Sequence, residues 1–396
     1  MVLLSVAFAI NYIDRQFLFS AFPRIAEDLS LSGLEMGLAG SLFTWTYAFS
    51  MPLSGWVADR VSRPKLIVAA LALWSTACLG TVLSRNATEL LISRVAMGLT
   101  ESLYVPAAIG MITDLHTRTR SRALSIHGFA QFIGISLGGY YGGWSAEHIG
   151  WRKGYASMTM IGLLYACFLI WQFRNIRLER PGKDSERASS LWVLMRSRQY
   201  HIVSFAFFTF CAMLWVLYAW TPTFIHDRFH LDLTNSGITG TLYLQAGAAA
   251  GVLLGGWTGD YVSLRRSEGR LETTAFGLIV CSPFCMLIFV THSLIWLKVA
   301  AVLFGIVSGF FVANVFATLH DLVGHESFGL ATGLVNMTGG LGAGAAILVA
   351  GVMRNHGGIG ELMKWTSIVA VLAGSSLLWL ARQRALQPHH NSTALM

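Results

Sequence analysis

Four strongly ionisable side chains lie deep inside long apolar runs of this 396-residue chain: Asp14 and Arg15 in the run 2–22, Arg94 and Glu101 in the run 90–113. A charge at membrane depth costs at least about 2.5–3.5 kcal/mol on insertion scales, so it is kept where it faces a partner or a watery cavity. Asp14 and Arg15 are neighbours, point about 100° apart on a helix and cannot simply pair with each other. Arg94 and Glu101 share one helix face, two turns apart, and Gly98 between them is expected to leave that face open. The spacing predicts that the two runs gather two acids and two bases into one polar site.

The chemistry of such a site is a proton switch. Desolvation disfavours an ionised carboxylate and a nearby guanidinium favours it, so an acid that alternates between the two surroundings changes its proton affinity with conformation. Arginine keeps its proton and offers a bidentate fork to a carboxylate. The expected roles are proton coupling through Asp14 and Glu101 with Arg94, and substrate binding through Arg15 or Arg94 with Tyr12 beside them. The competing reading is a structural ion-pair cluster that only orients two helices.

The elements that position these groups follow from composition. Apolar residues make up 54% of the chain and charged residues 12%, against about 25% charged in an average soluble protein. The runs are long enough for membrane helices, about 20 residues each, and lack the alternation of barrel strands. Twelve spans are predicted near 2–22, 34–56, 66–84, 90–113, 122–145, 155–173, 201–222, 235–258, 274–292, 295–319, 328–353 and 364–381. With both ends inside, 18 of the 28 Lys and Arg fall in inner loops and tail, 8 in outer loops and 2 within spans, which sets both termini in the cytoplasm. The net charge of +8 is therefore a topology signal, not a mark of a nucleic-acid partner. The first run opens at Met1 with no basic stretch before it and no small-residue cleavage site after it, so no cleavable secretory signal is expected. The five cysteines fall within spans and read as packing residues.

The chain repeats itself. Gly55-Trp56-Val57-Ala58-Asp59-Arg60-Val61-Ser62 returns 201 positions later as Gly256-Trp257-Thr258-Gly259-Asp260-Tyr261-Val262-Ser263, and Gly138, Gly139 and Gly143 return at the same offset as Gly339, Gly340 and Gly344. The expected division is an N-terminal bundle 1–173 with the proton-coupling charges, a cytoplasmic linker 174–199, a C-terminal bundle 200–382 and a tail 383–396. The second half has no comparable buried charge. Gln245, Asn314 and Asn336 are candidates to line a midplane cavity, with Trp215 and Tyr218 as its walls; the alternatives are lipid-facing positions and helix packing. His127 is the one imidazole well inside a span, a candidate for substrate binding or pH sensing as much as for packing.

The doubled Gly-x-x-x-Asp loop, the six-plus-six layout and the glycine-rich fifth and eleventh spans resemble the major facilitator superfamily across essentially the whole chain. Asn11-Tyr12-Ile13-Asp14-Arg15 and Arg94-Val95-Ala96-Met97-Gly98-Leu99-Thr100-Glu101 are similar to two of its groups, the organic anion:proton symporters and the Spinster-like lipid transporters. Gly139 stands where exchangers of the superfamily commonly carry proline, so the drug-exchanger class is not assigned. The resemblance implies an all-α polytopic membrane protein with 12 transmembrane helices in two pseudo-symmetric six-helix bundles. It also implies a conformational latch at the inner face, built from Gly55, Asp59, Arg60, Arg63, Asp114, Arg120 and Asp260.

No phosphate-binding Gly-Lys-Ser/Thr loop or zinc helix occurs in the sequence, and Gly134-Ile135-Ser136-Leu137-Gly138 lies inside an apolar span and not at a strand-to-helix Gly-x-Ser-x-Gly turn, so an ATP-driven pump and an enzyme are not expected, and no cofactor or metal is implied. The expected function is a secondary active transporter working by alternating access, a proton symporter for a small organic anion such as a sugar acid. Its partners would be that solute, protons and the lipid bilayer, and the unit a monomer in the bacterial inner membrane. The alternatives are a Spinster-like carrier of lysolipid or another amphiphile, and a non-transporting sensor or scaffold.

Overall fold

A computed structural model describes residues 1–174, 191–323, 328–354 and 358–386. Among them the chain forms α1 (Val2–Leu29), α2 (Gly33–Ala58), α3 (Arg63–Leu83), α4 (Ala87–Glu101), α5 (Tyr104–Leu115), α6 (Arg120–His148) and α7 (Trp151–Phe173) in the first half. The second half holds a short α8 (Leu191–Arg196), then α9 (Arg198–Phe229), α10 (Leu233–Ser263), α11 (Gly269–Val290), α12 (Leu294–Val323), α13 (Phe328–Met353) and α14 (Ile359–Leu386). With α4 and α5 together forming one broken span, these are the twelve membrane passes of two six-helix bundles. The expected linker 174–199 is described at 174 and from 191, where α8 and the start of α9 occupy it; 175–190 and 387–396 lie outside the described residues.

Ten of the passes are long and apolar enough to cross a membrane by length and composition; α2 and α6 are the two that are not. Both pack against the opposite half, α2 on α13 and α6 on α10. Helix starts are set locally. The Ser32 hydroxyl accepts from the Glu35 N–H (3.2 Å) while the Glu35 carboxylate accepts from the Ser32 N–H (2.8 Å), a reciprocal cap that satisfies two otherwise orphaned donors. Asn86 and Asp232 cap α4 and α10 in the same region of the bundle, the end remote from the termini.

The repeated glycines have two distinct jobs. Gly134, Gly138 and Gly142, one helical stripe of α6, stand so close to α1 that an added Cβ would lie 2.6–2.7 Å from the carbonyl oxygens of Ala9, Ile13 and Phe17. Backbone meets backbone there, and only glycine fits. Gly139 and Gly143 face the other way, toward Gly237, Thr241 and Leu233 of α10. The second half copies the pattern: Gly339 meets Phe207 and Cys211 of α9 in its own half, whereas Gly340 and Gly344 meet Ala48 and Trp45 of α2 across the interface. The 201-residue repeat is thus a repeat of packing duty.

Hydrogen bonds between the halves run from the middle of the bundle outward, away from the termini. The Gln16 amide donates to the Tyr218 carbonyl (3.0 Å), the Ser41 hydroxyl to the Gly344 carbonyl (2.6 Å) and the Trp45 indole to the Leu341 carbonyl (3.3 Å). Furthest out, the Glu147 carboxylate accepts from the N–H groups of Leu233 (2.6 Å) and Thr234 (3.2 Å) and from the Thr234 hydroxyl. Toward the terminal end, Gly128 of α6 and Gly333 of α13 face open space. The halves touch at the far end and part toward the end that carries the termini.

Candidate functional site

Pro106 explains why the fourth pass is broken. It has no N–H to give the Ser102 carbonyl and its ring crowds that turn, so α4 stops at Glu101, the turn Ser102–Leu103 intervenes and α5 starts at Tyr104. Glu101 therefore ends a helix in the interior of the first half, fully buried. Arg15, from the middle of α1, donates from Nε to its Oε2 at 2.6 Å, with side-chain exposures of 5% and 0%. The Arg15 guanidinium also lies among three rings, 4.9 Å from Tyr12, 5.1 Å from Phe43 and 4.4 Å from Tyr47. This aromatic cage holds the cation from the sides while the carboxylate holds its edge.

Asp14 points into the first half, where the Trp74 indole donates to its Oδ2 at 3.2 Å. Arg94 is completely buried; its Nε donates to the Ala39 carbonyl (3.2 Å), one terminal nitrogen lies 3.1 Å from the Met97 sulfur, and its carbon sits 4.6 Å from the Phe43 ring. Thus α1 and α4 do bring the four charges together, as the spacing predicted, but Arg15–Glu101 is the one direct ion pair among them. One atom of each charged group has no partner: Asp14 Oδ1, Arg15 Nη2, Arg94 Nη2 and Glu101 Oε1. Asn11, 1% exposed, lies with its amide beside the Glu101 carboxylate. A buried polar atom without a partner costs roughly 1–3 kcal/mol, so a polar cluster of this kind is expensive to keep inside an apolar bundle.

The expectation that Gly98 leaves its face open is corrected: an added Cβ there would stand 2.7 Å from the Phe43 carbonyl oxygen. The missing side chain admits the backbone of α2, which is how Phe43 and Tyr47 reach Arg15. In the second half, Tyr218 and Gln245 come together, the Tyr218 hydroxyl lying beside the amides of Gln245 and Gln131 while both amide atoms of Gln245 stay unbonded and buried. Trp215 packs edge-on against Tyr218 with centroids 5.9 Å apart. Asn336 is exposed, one turn before Gly340 on the part of α13 that looks across the interface. Asn314 is placed elsewhere: its amide donates to the Gly255 (2.8 Å) and Phe310 (3.0 Å) carbonyls and glues α12 to α10. His127 stacks on Phe8 with centroids 4.4 Å apart, two turns from Arg15 toward the terminal end, and neither ring nitrogen has a partner. Trp74, Phe43, Tyr47, Asn11, Gln16 and Gln131 complete the site and were not singled out in the sequence.

At the terminal end, Arg63 pairs with Asp114 and Arg270 bridges Asp260 (3.0 Å) and Asp321 (3.5 Å). Arg60 turns back onto the Trp56 carbonyl and ring. Asp59 and Arg120 make no ion pair within 4 Å among the described residues, and Gly55 has open space around it. Each of these pairs lies within one half, so in this conformation the latch residues tie helices inside a bundle and do not bridge the two.

The fold and the buried cluster define a multi-pass integral membrane transporter, not an enzyme. The model of the Major Facilitator Superfamily matches residues 4–347 and, again, 233–393, and the chain belongs to that family. It is 25% identical over 354 residues to the hexuronate transporter of Bacillus subtilis (strain 168), covering 84% of this chain and 82% of that one. It is 23% identical over 408 aligned positions to the D-galactonate transporter of Escherichia coli O6:H1, covering 96% and 94%. The crystal structure of a bacterial homolog to the human lysosomal transporter Spinster, in an inward-facing and occupied conformation, matches its fold with a TM-score of 0.80 over 96% of each chain, at 19% identity.

Proposed function

We propose that this protein carries a small organic anion, a sugar acid or other carboxylate, together with protons, by alternating access. The observation that carries the reading is the Arg15–Glu101 pair, a guanidinium and a carboxylate both buried inside the first half. Protonating Glu101 weakens its hold on the guanidinium, and the freed fork then accepts the carboxylate of the substrate. Asp14, held by Trp74, is the second proton carrier, and Arg94 keeps α4 seated on α2 while biasing both acids. Tyr218, Gln245 and Gln131 are placed to receive hydroxyl groups of the same solute from the opposite side. The relatives that transport hexuronate and D-galactonate support a hydroxylated carboxylate.

In this reading residues 1–173 couple protons and 200–382 supply a neutral wall, the chain works as a monomer, and both termini lie in the cytoplasm of a bacterial inner membrane. A carrier of lysolipid is the second reading, favoured by the aromatic and uncharged second half of the site. The test is uptake into proteoliposomes of hexuronates, aliphatic and aromatic carboxylates, and lysophospholipids, with Arg15→Gln as control. Uptake of a hydroxylated carboxylate that Arg15→Gln abolishes supports the proposal. Uptake of the lysolipid alone, or carboxylate uptake that survives the substitution, contradicts it.

A further inference from the structure

A groove of about 510 Å³ opens on the outer surface of the second half, away from the site between the halves, and is lined by Arg196, Arg198, His201, Ile202, Phe205, Leu372 and Ser376. Its geometry follows from two antiparallel helices and the short α8. Arg198, His201/Ile202 and Phe205 form one face of α9, while Leu372 and Ser376 lie one turn apart on α14. Phe205 is seven residues and about 10 Å deeper along α9 than Arg198. The deep part is apolar and open to the hydrocarbon: Phe205 is 47% and Leu372 63% exposed. The shallow part is cationic. Arg196 lies over the Trp192 ring and Arg198 over the Trp379 ring, each at 4.5 Å, and neither has a carboxylate within 4 Å among the described residues. By contrast Arg384 close by is tied to Glu268 (3.0 Å) and Gln199 (3.0 Å).

We propose that this groove is a binding site for one anionic phospholipid, its phosphate between Arg196 and Arg198 and an acyl chain along Phe205 and Leu372. Charge complementarity commits the site to an anionic headgroup, and basic pockets between membrane helices are the known means of holding one. The aromatic rings fix both guanidiniums so that little side-chain freedom is lost when the phosphate arrives. The His201 ring Nε2 lies 2.8 Å from the Met195 carbonyl oxygen, a contact that seats α8 against α9 beside the groove. A bound lipid would then bridge α8, α9 and α14 at the point where the linker enters the second half.

The experiment is thermal unfolding of the full-length protein in detergent, titrated with dioleoylphosphatidylglycerol, dioleoylphosphatidylcholine or glycerol phosphate. The expected result is saturable stabilisation by the anionic lipid alone. With about fivefold in affinity for each arginine, the Arg196→Gln/Arg198→Gln double variant should bind roughly 25-fold more weakly. Arg265→Gln, which removes a guanidinium from the Tyr261 ring at the same end of the bundle but outside the groove, should bind as the wild type does. Equal stabilisation by both lipids, stabilisation by glycerol phosphate to the same degree, or undiminished binding by the double variant would overturn the proposal.

Discussion

Neutralising the Arg15–Glu101 pair one partner at a time gives a quantitative test of how that pair is built. Two unit charges about 4 Å apart attract by about 4 kcal/mol at an effective dielectric near 20, and removing one member of a buried pair costs about 3–5 kcal/mol because the other is left uncompensated. The two single variants are not equivalent here. Glu101→Gln leaves Arg15 within its cage of Tyr12, Phe43 and Tyr47, and the rings return roughly 1–2 kcal/mol to the stranded cation. Arg15→Gln leaves Glu101 with Arg94 nearby and able to neutralise itself by taking up a proton, so its cost also falls below the full figure. The double variant removes both charges and should fall short of the summed single costs by at least about 1.5 kcal/mol. Melting in detergent at pH 8, followed by tryptophan fluorescence, reads the cycle; at about 1–2 °C per kcal/mol for a chain of this length, each single variant melts several degrees low and the double variant close to the milder one. Additive losses would refute the coupled, caged pair.

Two further outcomes follow from the far end of the bundle. Glu147→Ala removes the acceptor for Leu233 and Thr234, a cap worth about 1–2 kcal/mol, and should shift the equilibrium roughly 5–30-fold toward a far end that is open; in a background with the exposed Cys167 replaced, Thr241→Cys, which faces Gly139, should then react faster with a membrane-impermeant maleimide, and unchanged labelling would contradict the role. Beyond the membrane, the Trp151 indole (2.9 Å) and the Arg152 guanidinium hold the Asp28 carboxyl below its usual range. A carboxyl with a depressed folded-state value contributes stability that is present above its unfolded value and is lost as pH falls through the folded one. Asp28→Asn should therefore flatten the loss of melting temperature on acidification below about pH 4; an unaltered slope would show that the contact contributes nothing.

The four charges were legible because an ionised group in an apolar run is expensive and must have a reason. Their partners were less so. Trp74, Phe43 and Tyr47 are ordinary aromatic residues of membrane helices, and only the three-dimensional approach of α2 and α3 makes them a hydrogen-bond donor and a cage. Gly98 stands out in the sequence but does not open its face, since an absent side chain invites a neighbouring backbone as readily as a cavity. The break after Glu101 had a local signal, Pro106, whose lost N–H falls one turn back at Ser102. Asn314 and Gln245 look alike in the sequence as buried amides; one donates to helix carbonyls and the other lies beside the Tyr218 hydroxyl, a difference set by which helix each one meets. The glycine repeat, by contrast, carried its meaning openly, with positions that face α1 or α9 and positions that cross between halves recurring in register.

Proton movement tests the central claim most directly. Protein reconstituted with a pH-sensitive dye inside the vesicles is offered a hydroxylated carboxylate such as a hexuronate, and the wild type is compared with Asp14→Asn and Glu101→Gln at equal incorporation. The account predicts acidification of the lumen that depends on the carboxylate in the wild type and is abolished in both variants. Substrate-dependent proton entry that persists in both would contradict it, leaving the buried charges as a structural lock between α1 and α4.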